Sequence, residues 1–185
     1  MKIFNYFVLI FISIISSVKA DLNQNIIFEL KEGGKLIFIR HAYAPGGGDP
    51  KNFNINDCNT QRNLNSEGRI QSKKIGDFFK KNKIFIEKVY SSEWCRCKET
   101  ASIAFENFET KNFLNSFFSE QFVENRQNQI KDLNRFIKNW NGNGNLIFVT
   151  HYVVISELLN YAPSSGELVI SDKQLKVIDT LEIEY

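Results

Sequence analysis

The 185-residue chain has two histidines, and each closes the same kind of string: Leu36-Ile37-Phe38-Ile39-Arg40-His41 and Leu146-Ile147-Phe148-Val149-Thr150-His151. A neutral imidazole can attack phosphorus when an acceptor holds its other nitrogen and so fixes the tautomer. Phosphoryl transfer also needs positive donors around the equatorial oxygens, and the planar fork of arginine supplies two at once. Arg40 adjoins His41, and Arg96 falls near the start of a helix that follows a short strand at 87–90. Amide donors and the positive dipole end at a helix start also favour an anion. Metal-dependent hydrolysis is the weaker reading, because neither an H-x-x-x-H pattern nor a carboxylate-rich spacing accompanies the two histidines. The patterns C-x5-R, G-x-S-x-G and G-x-x-x-x-G-K-[ST] are absent, so Gly46, Gly47 and Gly48 read as a flexible loop and not as a nucleotide cradle. The expected chemistry requires no metal and no organic cofactor.

Both histidine-bearing strings are too uniformly apolar for a half-exposed strand and read as strands covered on both faces by helices. In an open parallel sheet, ligands bind at the carboxyl ends of the strands, which is where both histidines fall. One such histidine could be a satisfied structural residue, but two at matched strand ends argue against that. The remaining elements alternate. A helical patch (Ile26, Ile27, Leu30) breaks at Gly33-Gly34, and residues 42–61, with Pro45, Pro50 and many Asn, form a loop long enough to be functional. Asn65 or Ser66 can cap a helix to about Asn82, with Ile70, Ile75, Phe78 and Phe79 available for its buried side. A helix is expected over Trp94–Phe105 and a strand over Lys111–Leu114. Ser119 can cap a helix whose stripe is Phe122, Val123, Arg126, Ile130, Leu133, Ile137 and Trp140, a core-facing pattern. Tyr152–Tyr161 reads as a helix, and the segments 167–170, 176–178 and 181–183 as edge strands. The expected fold is α/β, a three-layer sandwich with a mostly parallel central sheet and helices on both faces.

Composition bounds the function. Hydrophobic residues make up 43% of the chain and Phe alone contributes 17, which fits one globular domain and excludes a disordered chain. Lys+Arg 23 against Asp+Glu 21 is too even a balance for a nucleic-acid binder. Residues 1–20 read as a secretory signal: Lys2, an apolar run over Ile3–Ile15, then Ser16-Ser17-Val18-Lys19-Ala20 with small residues at the cleavage positions. The alternative is a retained anchor, but the apolar run is short for a spanning helix, which needs about 20 residues. The expected organisation is a signal peptide over 1–20 and a single domain over 21–185, exported to a periplasmic or extracellular space, with no later membrane span. An oxidising compartment makes Cys58, Cys95 and Cys97 candidates for a disulfide. Their odd number leaves at least one unpaired in the monomer, and Cys95 and Cys97, two apart on a helix, point to different faces. A bridge from Cys58 to Cys95 or Cys97 is the expected pairing, with three buried free thiols as the alternative.

Arg40-His41-Ala42 resembles the R-H-G/A signature of the histidine phosphatase superfamily. Leu64-Asn65-Ser66-Glu67-Gly68-Arg69 with Gln71 resembles its L-[TS]-x-x-G-x-x-Q helix entry, and Ser91-Ser92-Glu93-Trp94-Cys95-Arg96-Cys97-Lys98-Glu99-Thr100-Ala101 is similar to its S-S-x-x-x-R-x-x-x-T-A segment. Thr150-His151 matches the second histidine at the end of a late strand. The motifs stand in family order from about residue 35 to 155. The resemblance implies that His41 is the nucleophile that forms a phosphohistidine, and that Arg40, Arg96 and His151 bind the phosphoryl group. Arg62, at the end of the long loop, is a candidate substrate contact or a solvated surface residue. The general acid is the departure from the pattern. Some relatives carry an Asp directly after the second histidine, where this chain has Tyr152, and others a Glu after the third motif, where Leu114-Asn115-Ser116 has no acid. Asp49, Asp57 and Glu120 are the candidate acids, each also readable as a solvated charge, whereas Glu93 and Glu99 fit a role in helix packing. The implied activity is phosphate monoester hydrolysis on a small phosphorylated substrate or a phosphorylated cell-envelope component. The alternatives are a phosphohistidine protein phosphatase and a non-catalytic phosphate-binding module.

Overall fold

A computed structural model describes residues 24–185. The segment 1–20 read as an export signal lies outside the described residues.

The two matched apolar strings become strands β1 (Leu36–Arg40) and β4 (Asn145–Thr150), which lie side by side and parallel, with Leu36 opposite Leu146 and Arg40 opposite Thr150. The sheet has six strands in the order β3-β2-β4-β1-β5-β6, where β2 is Ile86–Ser91, β3 Glu109–Thr110, β5 Leu168–Ser171 and β6 Val177–Leu181. Strands β1 to β4 pair in parallel, and β5 and β6 close one side antiparallel. Strand alternation divides the core. Ile37, Ile39, Ile147 and Val149 face one side and pack with Ile26 and Leu30 of α1 (24–32), Ile75 and Phe79 of α2 (Ser66–Asn82), and Cys97 and Ala101 of α3 (Cys95–Phe105). Leu36, Phe38, Leu146 and Phe148 face the other side, against Leu133 and Ile137 of α4 (Arg126–Asn139) and Val154, Ile155 and Leu159 of α5 (Tyr152–Leu159). Phe38 and Phe148 stack at 4.9 Å between centroids and are fully buried, so each stabilises by about 1.5–3 kcal/mol on transfer alone. The architecture is a three-layer α/β sandwich with a mostly parallel sheet.

Three local expectations are corrected. Lys111–Leu114 is not a strand: the strand is Glu109–Thr110, and Asn112–Leu114 forms a 3-10 turn that buries Phe113 and Leu114. The helix expected from Ser119 begins as a 3-10 segment, Glu120–Asn125, so Val123 and Arg126 of the stripe are exposed while Leu133 and Ile137 are buried. On α2, Asn65 does cap, accepting from Gly68 N, but Ile70 is exposed, because the buried face is set by Gly68, Gln71, Ser72, Ile75 and Phe79.

Candidate active site

The ladder between β1 and β4 continues one residue past the strands, with His41 N donating to Thr150 O at 2.9 Å, so the two histidines leave the sheet side by side. Their rings lie 5.5 Å apart, centroid to centroid, and both residues are buried. The segment after His41 is held by the motif residues. Ala42 N donates to Thr100 Oγ1 at 3.0 Å and Tyr43 N to Gln71 Oε1 at 2.9 Å. Gly68 is required at the helix entry because a Cβ there would collide with Tyr43 O. The helix-entry and third motifs thus act by fixing the backbone that carries His41.

Hydrogen bonding assigns the tautomers. His41 Nδ1–H donates to Ala42 O at 2.8 Å, which leaves the Nε2 lone pair free, and Arg96 Nε–H donates to it at 3.1 Å. His151 Nε2 meets Ser92 Oγ at 2.9 Å, and Ser92 itself donates to Asn115 Oδ1 at 3.1 Å. His151 Nε2 is therefore the donor, and His151 Nδ1 faces Arg96 Nη2 at 3.4 Å. Burial first, then the charge of Arg96, holds both histidines well below the ordinary imidazole value, so both rings are neutral. Cys97 Sγ lies 3.5 Å from His151 Nε2, but burial pushes its thiol up to about 12, which makes it a poor nucleophile.

Around the rings stand three guanidinium groups. Arg40 donates to Pro163 O at 2.9 Å and lies over the Tyr152 ring, 5.5 Å from its centroid. Arg62 donates to Ala44 O. Burial lowers both from the usual arginine value, and Arg96 lowers each further. The Nε atoms of Arg40 and Arg62 are buried without a partner, and mutually repelling cations with spare donors favour an anion among them. Arg40, His41, Asp49, Arg62, Arg96 and His151 line one cavity of about 170 Å³, with Phe118, Phe122 and Tyr152 at its wall. Larger grooves of about 640, 750 and 800 Å³ contain no histidine or arginine, so the chemistry selects the small pocket over the roomy ones. Among the described residues, no group of three His, Cys, Asp or Glu side chains is placed to hold a metal ion.

The candidate acids separate. Asp57 caps a 3-10 turn by accepting from Asn59 N, and Glu120 is exposed, so neither lines the pocket. Asp49 does line it, as the partner of Arg96: Nη1 donates to Oδ1 at 2.7 Å and Nη2 to Oδ2 at 3.2 Å. Burial would raise this carboxyl, but the hydrogen bonds and charge of Arg96, with donors from Arg62 N and Trp94 Nε1, outweigh it and hold it below the usual carboxylate range. The start of α3 also departs from expectation. Two of the amides there are already taken, Trp94 N by Ser92 Oγ and Cys95 N by Gln61 Oε1. Cys58 is bonded to Cys95, and Cys97 remains a buried free thiol. Sequence reasoning missed Ser92, Asn115 and Trp94. Ser92 stands inside the S-S motif and offered a signal, whereas Asn115 and Trp94 reach the site only through packing.

Paired strand-end histidines inside an arginine cluster can hold a compact anion. The model of the histidine phosphatase superfamily (branch 1) matches residues 36–133, more than half of the chain, and the protein belongs to this superfamily. No protein of curated function matches the chain. Among solved structures it is similar to the protein histidine phosphatase SixA complexed with tungstate, at 15% identity and TM-score 0.55, over 80% of this chain and 96% of that one. It is similar to the putative phosphohistidine phosphatase SixA from Agrobacterium tumefaciens, at 16% identity and TM-score 0.56, over 81% and 98%. TTHB049 from Thermus thermophilus matches at 14% identity and TM-score 0.57, over 81% and 99%. At these identities the likeness concerns the fold.

Proposed function

We propose that the protein is an exported phosphatase that hydrolyses phosphate monoesters through a phosphohistidine on His41. One observation carries the reading: the His41 Nε2 lone pair, its tautomer set by Ala42 O, opens on the same space as Arg96 Nε–H and His151 Nδ1. A phosphoryl group placed there takes over the Arg96 donors from the imidazole nitrogens. Nε2 attacks phosphorus as the P–O bond to the departing alcohol breaks, and that oxygen takes a proton from water. Water then attacks the phosphohistidine, returning His41 and releasing phosphate. The dianion also opposes the charge of Arg96, which after burial is the second cause that keeps His151 neutral, so His151 Nδ1 takes up a proton from water more readily and can then donate to a phosphoryl oxygen.

The only carboxyl lining the pocket among the described residues, Asp49, is held ionised. The reaction is therefore expected to favour leaving groups that need little protonation, such as aryl phosphates. The same feature favours a P–N bond as a second reading, phosphohistidine on a protein, and two of the similar structures are described as SixA-type histidine phosphatases. The neighbouring groove of about 800 Å³ shares Trp94, Ser116 and Phe122 with the pocket and offers room for the rest of the substrate. The Cys58–Cys95 disulfide supports the export reading, since such bonds persist in oxidising compartments.

Incubation with 4-nitrophenyl phosphate is expected to release phosphate and to leave an acid-labile phosphoryl label on the wild-type chain, and His41→Ala is expected to lose both. A fully active His41→Ala variant would overturn the mechanism. Phosphate binding with no turnover of any aryl phosphate across pH would leave a binding module.

A further inference from the structure

Arg96 has five N–H donors, and the structure accounts for each. Nη1 donates to Asp49 Oδ1 at 2.7 Å and to Arg62 O at 3.3 Å, and Nη2 gives one hydrogen to Asp49 Oδ2 at 3.2 Å. The end of the guanidinium fork is thereby consumed. What remains is its side edge, Nε–H at 3.1 Å from His41 Nε2 and the second Nη2 hydrogen toward His151 Nδ1 at 3.4 Å. Asp49 is equally committed. Besides Arg96, its Oδ1 accepts from Arg62 N at 3.0 Å and its Oδ2 from Trp94 Nε1 at 3.1 Å, so both oxygens hold two donors. The pair is nearly dry, with the Arg96 and Asp49 side chains 4% and 16% exposed. A carboxylate with four donors cannot reach a leaving group without abandoning them. It also does not occupy the space between the two imidazoles, because it binds the far end of the fork.

We propose that Asp49 is the positioning residue of the phosphoryl site: it grips the end of the Arg96 guanidinium so that the side edge alone is presented between His41 and His151. The inference rests on the reading of that space as the phosphoryl site. It assigns Asp49 a role other than general acid, and it explains why a buried anion stands in a pocket meant for one. With Arg40, Arg62 and Arg96 against Asp49, the fixed charge of the pocket is reduced without losing the orientation of the clamp. Removing the carboxylate leaves Arg96 free to turn its fork, and misplacement on the scale of 1 Å costs about 100-fold in rate.

The test compares wild type with Asp49→Asn, an isosteric change, and with Trp94→Phe, which removes one donor from Oδ2 and leaves the carboxylate in place. Dissociation constants for inorganic phosphate are measured by calorimetry. Kinetics are measured on 4-nitrophenyl phosphate and on phenyl phosphate, whose leaving group is the more basic. Melting curves establish that binding is read on folded protein. For Asp49→Asn, phosphate affinity is expected to fall about tenfold and kcat/KM about 100-fold, by the same factor for both esters. Trp94→Phe is expected to give a smaller loss in the same sense, which keeps the proposal testable if Asp49→Asn fails to fold. Tighter phosphate binding by Asp49→Asn would make the carboxylate a competitor and overturn the proposal. So would unchanged binding and rates, or a loss that grows with the basicity of the leaving group, the mark of a general acid. If wild type turns over neither ester, the phosphatase reading fails, yet the phosphate dissociation constants still decide the role of Asp49.

Discussion

His41 and His151 are kept neutral by burial and by Arg96, and that has a measurable consequence for stability. A histidine whose folded pKa lies below its unfolded value binds fewer protons folded than unfolded. Stability is therefore retained above the unfolded value, near 6.5, and lost as pH falls beneath it. Each histidine contributes a slope of up to about 1.4 kcal/mol per pH unit in that window. Melting temperature is expected to drop steeply between about pH 6.5 and 5, and His151→Asn is expected to flatten the drop. An equal slope in the variant would show that His151 does not bear the cost. Asp49 acts in a separate window: its folded value is depressed, so its contribution holds above the unfolded value of 3.8 and disappears as pH falls further. Inorganic phosphate is expected to flatten the histidine slope, because a dianion favours the protonated rings. His41, His151, Arg40 and Arg96 were legible as a set because each needs only local information, a strand end or a helix start. Asp49 was legible as a nearby carboxyl but not as the partner of Arg96, since 47 residues separate them and the loop that leads into Asp49 turns through Gly46 and Gly48 at positive φ.

The elements that meet at the pocket are joined covalently. Cys58 lies in the loop that carries Asp49 and Arg62, and Cys95 opens the helix that carries Arg96. The disulfide spans a sequence separation of 37, so removing it is expected to cost about 2–4 kcal/mol of stability. Its place gives a second expectation. Cys58→Ser with Cys95→Ser, assayed at a temperature where the variant is folded, is expected to weaken phosphate binding, since the two segments that form the Asp49–Arg96 pair are no longer tied. Calorimetry on the double variant checks this, and unchanged affinity would confine the disulfide to stability. Cys97 is not expected to replace the missing partner, because its thiol is buried and pushed up to about 12. At this scale the long helices and the two histidine-bearing strands were legible from apolar period. The 3-10 segments were not, because Phe113, Leu114 and Phe122 satisfy a helical or strand pattern equally well over so few residues. In the 112–114 turn the side chain of Gln129 donates to Asn112 O and Asn115 O, which satisfies two carbonyls of the 3-10 form.

Over the whole molecule, the nearly identical strings of β1 and β4 made a shared sheet legible, but the strand order did not follow from them. The order depends on which face each crossover helix covers, and the antiparallel return of β5 beside β1 passes through Gly166, whose N–H reaches Arg40 O at 3.1 Å. Charge is distributed with the same economy. Without Lys2 and Lys19 the remaining basic and acidic side chains are equal in number, so positive potential is set by location, in the pocket of Arg40, Arg62 and Arg96. Balanced charge with one cationic pocket suits a compact dianion and gives a long polyanion nothing to follow. The proposed export can be tested on the whole chain. Produced in a cell with an envelope, the protein is expected outside the cytosol, with a new amino terminus at Asp21 and with Cys58 and Cys95 resistant to alkylation until reduced. Recovery with residues 1–20 intact in the membrane fraction would establish the retained anchor, still with an oxidised pair. A cytosolic chain whose Cys58 and Cys95 alkylate without reductant would overturn export, and would mean that the pocket works with Asp49 and Arg96 joined by their ion pair alone.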